Sequence, residues 1–323
     1  MSSRIREQLL SLLLEQGDAF TSGEEISRRL QCSRTAIWKQ IEELRKEGYQ
    51  VEARPKKGYR LVHRPDRVAP EELKPHLRSQ RFGWSIQYHS QVLSTQLIAH
   101  DWARKGANEG SLVLTEEQTK GKGRMDRAWH SPPHSGIWMS LILRPTITLA
   151  QAPQLTLMAA VALTRALRRE TGLDIRIKWP NDLLINGRKF CGILTETRGE
   201  QDQVQYVVLG MGINVNTLED FLPDELMKVA TSLAIEGGRT YHRVTLIASI
   251  LQSLEEFYDA YLKQGFEPVR ILWEEYAETI GREVRTETSQ GTIAGMAVGL
   301  DPSGALLIRH QDHLQPVYSA DID

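Results

Sequence analysis

QAPQLTLMAAVALTRALRRETG, residues 151–172, carries no charge before Arg165, and its spacing predicts a long apolar helix. A helix of that composition lies inside a domain rather than on its surface. The segments around it are short and strand-like: GSLVLTEEQT (110–119), GIWMSLILRP (136–145), RIKWPNDLLING (176–187), RKFCGILTET (188–197) and VQYVVLGMGINVN (204–216). Strands gathered about one buried helix, with no regular alternation of strand and helix, predict an α+β fold rather than a doubly wound α/β sheet.

The two ends of the chain read differently from this centre. Ile5, Leu9, Leu12 and Leu13 recur at helical spacing; TSGEEISRRL (21–30) offers Ser22 as N-cap with Glu25 at the capping-box position, and SRTAIWKQIEELRKEG (33–48) starts at Ser33 and stops at Gly48. YQVEARPKKGYRLV (49–62) then alternates like a strand, turns from Pro55 to Gly58 and returns. Three helices and a hairpin with a lysine tip describe a winged helix-turn-helix. Residues 63–75, HRPDRVAPEELKP, read as a linker. From Gly281 onward, short strands separated by Gly and Asp-Pro-Ser-Gly turns predict a small barrel-like β module. The expected domains are 1–64, 65–275 and 276–323.

Composition narrows the classes of function. With 41% hydrophobic and 25% charged residues and a net charge of -1, the 323-residue chain is ordinary globular material with no global reason to bind nucleic acid or an acidic membrane. Residues 1–64 depart from that balance, with 13 Lys and Arg against 9 Asp and Glu. Ser33, Arg34, Thr35 and Lys39 on the third helix, and Lys56 and Lys57 on the hairpin, are the candidate DNA contacts: a helix in the major groove and a wing on the phosphates. A solvated helical domain, or a winged helix used for protein contacts, is the plainer alternative. Cys32 and Cys191 stand in no metal-ligand spacing and suit a reducing cytosol. The amphipathic N-terminus is no signal peptide, and no run reaches the ~18 apolar residues of a membrane helix, so a soluble cytoplasmic protein is expected.

Four stretches carry chemistry. TKGKGRMDRAWHSP (119–132) combines glycines, which let backbone N–H groups approach a ligand, with cations that favour an anion; the plainer reading is a solvated basic turn. KWPND (178–182) places Lys178 at a strand end beside Asn181 and Asp182, and could equally be a packed strand end with a surface lysine. LGMGINVN (209–216) has a Gly-x-Gly after an apolar strand but lacks the third glycine and helix of a dinucleotide fingerprint. In STQ (94–96), Ser94 or Thr95 is most simply the N-cap of the helix that follows.

Taken in order, STQ, EEQTKGKGR, AWHSP, GIWMSLILRP, KWPNDLLI, CGILTE and GMGINVN resemble the biotin protein ligases, and the two ends resemble the bifunctional bacterial type that also represses biotin synthesis genes. The resemblance spans essentially the whole chain. It implies a central ligase domain like that of the class II aminoacyl-tRNA synthetases and a C-terminal SH3-like β-barrel. It also implies ATP, biotin and Mg2+ as ligands, with formation of biotinyl-5'-AMP and transfer of biotin to a lysine of the biotin carboxyl carrier protein of acetyl-CoA carboxylase or another biotin-dependent carboxylase. Operator DNA, and a homodimer formed with biotinyl-5'-AMP as corepressor, follow from the same resemblance.

Position by position, the resemblance implies biotin contacts at Ser94, Thr95, Gln96, Gln118, Lys122, Gly123, Arg124, Lys178, Gly192, Gly210 and Gly212. It implies ATP contacts at Arg124, Arg127, Trp129, Lys178 and Asn214, and catalytic roles for Lys178, Arg124, Arg127 and Asp182. Magnesium is expected with ATP, near Asp182 and Asn214. Residues 216–233 are a candidate loop to cover the adenylate. The chain departs from the family pattern at Lys122, which keeps the charge of the usual arginine, and at Asp126, where the family has glycine. Asp126 is expected either to pair with Arg124 or Arg127 or to point outward. A biotin-sensing regulator without ligase activity, and a lipoate or octanoate ligase, are the competing readings.

Overall fold

The computed structural model describes residues 2–46, 48–288, 291–311, 313–318 and 322. They form two compact units, residues 1–67 and 68–323. In the first unit, helices α1 (Ser2–Glu15), α2 (Gly23–Leu30) and α3 (Arg34–Lys46) precede an antiparallel hairpin of β1 (Gln50–Arg54) and β2 (Gly58–His63). Ser22 Oγ accepts from Glu25 N at 3.1 Å, and Ser33 Oγ accepts from Ala36 N at 3.2 Å, so both expected N-caps are made. Leu9, Leu13, Ile26, Ile37, Ile41 and Leu44 close a core of their own, which suits a domain that folds by itself. Gly58 sits at φ 105°, where an added Cβ would come 2.0 Å from Thr21 O, so the wing can start only with glycine.

The second unit begins inside the stretch expected as a linker. Val68, Ala69 and Leu73 are fully buried, and α4 (Pro70–Leu73) starts with proline in its first turn. The order that follows is β3 (Ile86–His89), α5 (Thr95–Arg104), β4 (Leu112–Thr115), β5 (Gln118–Lys122), β6 (Ala128–Ser131), β7 (Gly136–Leu143), α6 (Ala152–Thr171), β8 (Ile175–Lys178), β9 (Asp182–Ile185), β10 (Arg188–Glu200), β11 (Gln203–Asn214), α7 (Leu233–Gly237), α8 (Arg243–Gln264) and α9 (Glu267–Tyr276). A seven-stranded sheet runs β3-β4-β7-β11-β10-β9-β8, parallel only between β3 and β4. The rest of its ladder is antiparallel, as an α+β fold requires.

The sheet is covered on both faces, which explains why β7 is buried at every position and reads as a continuous apolar run. Leu112 and Leu114 join α6 and α8 in the large core, whereas the intervening Val113 joins Ala99 and Ala103 of α5 in a smaller one. That is the period of two expected of a strand with two buried sides. β11 runs straight through Gly210 and Gly212, so the Gly-x-Gly lies within a central strand rather than in a turn after it.

The C-terminal strands β12 (Glu283–Thr288), β13 (Gly291–Leu300), β14 (Leu306–His310) and β15 (His313–Val317) form an antiparallel sheet in that order. Ile293, Ala297, Leu300, Leu306 and Ile308 belong to the same core as α6 and α8. The small β module is therefore packed into the central unit. Among the described residues no helix is long and apolar enough to cross a membrane.

Candidate active site

Lys178 ends β8, whose alternating burial turns Ile175 and Ile177 into the core and leaves Arg176 and Lys178 on the other side. Its backbone is held from both directions: Glu278 N donates to Ile177 O at 2.8 Å, and Trp179 N donates to Thr279 Oγ1 at 3.1 Å. The buried Trp179 indole reaches Gly304 O at 3.4 Å. The C-terminal stretch thus fixes the end of the strand that carries the lysine. The Lys178 ammonium makes no hydrogen bond or ion pair among the described residues.

It opens into a cavity of about 640 Å3. Every residue expected at the ligand site lines that cavity: Ser94, Thr95, Gln96, Gln118, Lys122, Gly123, Arg124, Arg127, Trp129, Lys178, Asp182, Gly192, Gly210, Gly212 and Asn214. The basic, glycine-containing stretch is a β5–β6 hairpin rather than a free loop, with residues 123–127 at its tip. Arg124 Nη1 donates to Asn181 Oδ1 at 3.0 Å, joining that tip to the turn after Lys178, and Asn181 Nδ2 donates to Ile193 O at 2.8 Å. Asn181 is a site residue in its own right, held in place by β10.

The polar end of the cavity is highly connected. Thr95 N donates to Gln118 Oε1 at 2.9 Å, and Gln118 Nε2 donates to Ser131 Oγ at 3.0 Å, which fixes the orientation of the Gln118 amide. Ser94 stands at the N-cap position of α5, yet its side chain makes no cap bond; its buried hydroxyl has no partner among the described residues. The simple capping role is therefore not the one the fold gives it, and an unpaired buried hydroxyl at a cavity wall is a ready ligand contact. Gln96 is 4% exposed, with its amide committed to Glu196 and Ser140.

The three glycines make room for protein side chains. A Cβ on Gly212 would come 2.4 Å from Trp129 Nε1, one on Gly192 3.0 Å from the same ring, and one on Gly210 2.8 Å from Gln96 Oε1. Trp129 lies against these strands with its Nε1 buried and unpaired among the described residues, and the Lys189 ammonium sits 5.2 Å from its ring centroid. Lys189 was not marked by any motif; it is ion-paired with Asp182 at 2.7 Å. Asn214 Nδ2 donates to Thr231 O at 3.0 Å.

Those two pairings bear on the expected metal. Asp182 is already neutralised by a lysine, Asn214 already donates to a carbonyl, and among the described residues no cluster of three or more His, Cys, Asp or Glu exists. The residues present do not form a protein-built metal site. Asp126 is exposed at φ 55°, beside Met125 at φ 54°, and makes no ion pair among the described residues. Of the two expectations for it, the outward one holds. The left-handed backbone also explains why glycine suits this position.

Residues of the 216–233 stretch reach the same cavity, with Leu222, Leu226, Lys228, Val229 and Ala230 in its wall. The stretch is attached to β10, since Lys189 N donates to Val229 O at 2.8 Å and Thr231 N donates to Lys189 O at 2.9 Å. In the separate N-terminal unit, Ser33, Arg34, Thr35, Lys39, Lys56 and Lys57 are all exposed, together with Trp38 at 53%. Arg54 and Arg60 instead stack on Phe20 and pair with Glu52, whose carboxyl they hold below its ordinary range.

The three regions match known families. Residues 5–60 match an HTH domain, residues 88–214 the Biotin/lipoate A/B protein ligase family, and residues 279–323 the Biotin protein ligase C terminal domain. The chain is 47% identical to the Bifunctional ligase/repressor BirA of Bacillus subtilis, over 100% of this chain and 99% of that protein. It is 31% identical to the protein of the same name from Escherichia coli, over 97% and 95%. Among solved structures, the biotin protein ligase of Aquifex aeolicus in complex with biotin and ATP superposes with a TM-score of 0.65 at 28% identity, covering 74% of this chain and 98% of that one.

Proposed function

The chain belongs to the bifunctional biotin protein ligase/repressor family, and on that premise we propose how its cavity works. Biotin enters with its ureido ring toward Ser94, Thr95 and Gln118 and its carboxylate toward Lys178. One carboxylate oxygen attacks the α-phosphorus of ATP, the bond to the β-phosphate bridge breaks, and pyrophosphate leaves with the electron pair. The product is biotinyl-5'-AMP. The neutral ε-amine of a carrier lysine then attacks the acyl carbon, AMP leaves, and the amine gives up a proton.

Negative charge builds on phosphate oxygens in the first step and on the acyl oxygen in the second. Fixed cations in a partly closed cavity stabilise both, so Lys178 is assigned to the carboxylate and α-phosphate, and Arg124, Arg127 and Lys122 to the phosphates. Trp129 and Asn214 are assigned to the nucleotide end. Magnesium would come bound to the triphosphate and offset its charge, with no ligand required from this chain. The observation that carries the reading is one cavity in which, among the described residues, the Ser94 hydroxyl and the Lys178 ammonium are both without a protein partner, at a neutral polar end and a cationic end respectively.

The N-terminal winged helix is an operator-binding repressor domain. Its α3 residues Ser33, Arg34, Thr35 and Lys39 are assigned to the groove, and Lys56 and Lys57 to phosphates. Biotinyl-5'-AMP acts as corepressor through a homodimer, and the protein works in the cytoplasm. The test is incubation with ATP, magnesium, labelled biotin and an apo carrier domain: label on a carrier lysine is expected, and its absence defeats the ligase reading, including against a sensor without activity. Lipoate or octanoate in place of biotin is expected to give no transfer.

A further inference from the structure

On the same face of the sheet as Lys178, α5 and β10 place His100 and Glu196 together, and a polar chain runs from them into the biotin pocket. Glu196 Oε2 accepts from Gln96 Nε2 at 2.8 Å and lies 3.2 Å from His100 Nε2, while His100 Nδ1 lies 3.4 Å from the Tyr206 hydroxyl. Gln96 Oε1 accepts from Ser140 Oγ at 2.8 Å, and Ser140 Oγ lies 2.8 Å from Thr95 Oγ1. Thr95 Oγ1 in turn lies 3.2 Å from Gln118 Oε1. His100 and Glu196 also line a second cavity, bounded by α5, β10 and β11.

One arrangement of protons satisfies all three 2.8 Å contacts of this chain. A carboxylate can only accept, so Gln96 turns its NH2 toward Glu196 at 2.8 Å, with Leu194 O and Val208 O as longer acceptors at 3.4 and 3.5 Å, and its carbonyl oxygen toward Ser140. Ser140 has one proton and gives it to Gln96, so the close Ser140–Thr95 contact is made by the Thr95 proton. Thr95 Oγ1 then faces the pocket with lone pairs only, next to Gln118 Oε1, whose acceptor role is fixed by Thr95 N. The Thr95 proton can go to Gln118 Oε1 at 3.2 Å or to Ser140 Oγ at 2.8 Å; with it on the shorter contact, Thr95 Oγ1 and Gln118 Oε1 are neighbouring acceptors, which favours a ligand that brings an N–H.

We propose that Glu196, supported by His100, is a positioning residue of the biotin pocket. It sets the direction of the Gln96–Ser140–Thr95 chain and so makes Thr95 an acceptor for a ligand N–H. Glu196 itself does not touch the ligand. Its carboxyl is held below the ordinary range, first by the hydrogen bond from His100 and further by Gln96 and the nearby Lys122 charge, so it stays an acceptor at neutral pH.

The inference rests on the biotin reading of the pocket and is tested on the full chain by biotin-dependent pyrophosphate release. Glu196→Leu keeps an apolar filler but no acceptor and is expected to raise the biotin KM about tenfold, roughly one hydrogen bond. kcat at saturating biotin and the KM for ATP stay within about twofold of wild type. Glu196→Gln, whose amide oxygen can take the same place, restores most of the biotin affinity. Ser140→Ala cuts the chain at its middle and raises the biotin KM by a similar factor; combined with Glu196→Leu it adds nothing further.

A wild-type biotin KM for Glu196→Leu, a Gln variant as poor as Leu, a loss confined to kcat, or costs that multiply in the double variant would each overturn the proposal. If Glu196→Leu does not fold, Ser140→Ala decides: an unchanged biotin KM in that variant overturns it. Wild-type protein that releases no pyrophosphate with biotin would overturn the pocket's biotin reading itself, an outcome separate from any difference among the variants.

Discussion

Lys178 is the clearest case of a side chain whose surroundings leave it one use. The backbone on either side of it, at Ile177 and Trp179, is tied to Glu278 and Thr279, while its ammonium is unpaired among the described residues, an arrangement with no structural benefit of its own. Lys178→Ala is therefore expected to keep the melting temperature within about 2 °C and to slow biotinyl-5'-AMP formation about 10²–10³-fold, the cost of removing one fixed charge-stabilising group. Unchanged pyrophosphate release would remove Lys178 from the mechanism. Asp126 gives the opposite expectation. At φ 55° a non-glycine residue is strained, by less for Asp than for most, while glycine loses more backbone entropy on folding. The two terms nearly cancel, so Asp126→Gly is expected to leave stability within about 0.5 kcal/mol and adenylate formation unaltered; a marked loss of either in thermal melts or turnover would show that the carboxylate has a role its exposure does not suggest.

The hairpin of β5 and β6 acts as one element because Arg124 fastens its tip to Asn181 across the cavity. Arg124→Gly removes both a cation and that fastening, and biotinyl-5'-AMP is expected to escape and label bystander lysines on any added protein. Asn181→Ala cuts the same fastening while leaving the cation, and should give a weaker form of the same leakage. Labelling confined to the carrier in both variants would mean that the tip does not retain the intermediate. Elements of this kind were legible in the sequence to the extent that their chemistry is local. Ser22 and Ser33 announce their helices and the wing's lysines sit together, whereas the Gly-x-Gly, read as a place where backbone approaches a ligand, makes room for Trp129 and Gln96. Legibility ended where contacts join distant segments. Nothing near Lys189 signals that it sits over Trp129 and neutralises Asp182, and Glu196 lies a hundred residues from the Gln96 it orients. The mid-strand position of the Gly-x-Gly was hidden for a related reason: β10 is its hairpin partner, but β7, on its other side, comes from a distant part of the chain.

The whole molecule joins two units whose cores are separate, and the second begins with a strong attachment. Val68 N donates to Glu116 Oε1 at 2.9 Å, and Glu116 Oε2 is paired at 2.8 Å with the fully buried Arg243. Removing one member of such a pair costs about 3–5 kcal/mol, so the second unit has its own anchored start and does not need the first to fold. Deleting residues 1–67 is accordingly expected to abolish operator binding and leave biotin transfer to the carrier within about threefold. In the full chain the two activities are expected to be linked through one ligand: Leu222, Leu226, Lys228, Val229 and Ala230 line the ligase cavity, and on the proposed reading their ordering over biotinyl-5'-AMP would change a surface available to a second copy. If the adenylate tightens the dimer, then the dimer must bind the adenylate more tightly by the same factor, and a dimer presents two winged helices to a two-fold operator. Sedimentation should therefore show more dimer with biotin and ATP than with either alone, and operator affinity should rise in parallel. A dimer fraction indifferent to the adenylate, with operator affinity that still rises, would place the coupling within one chain instead of between two.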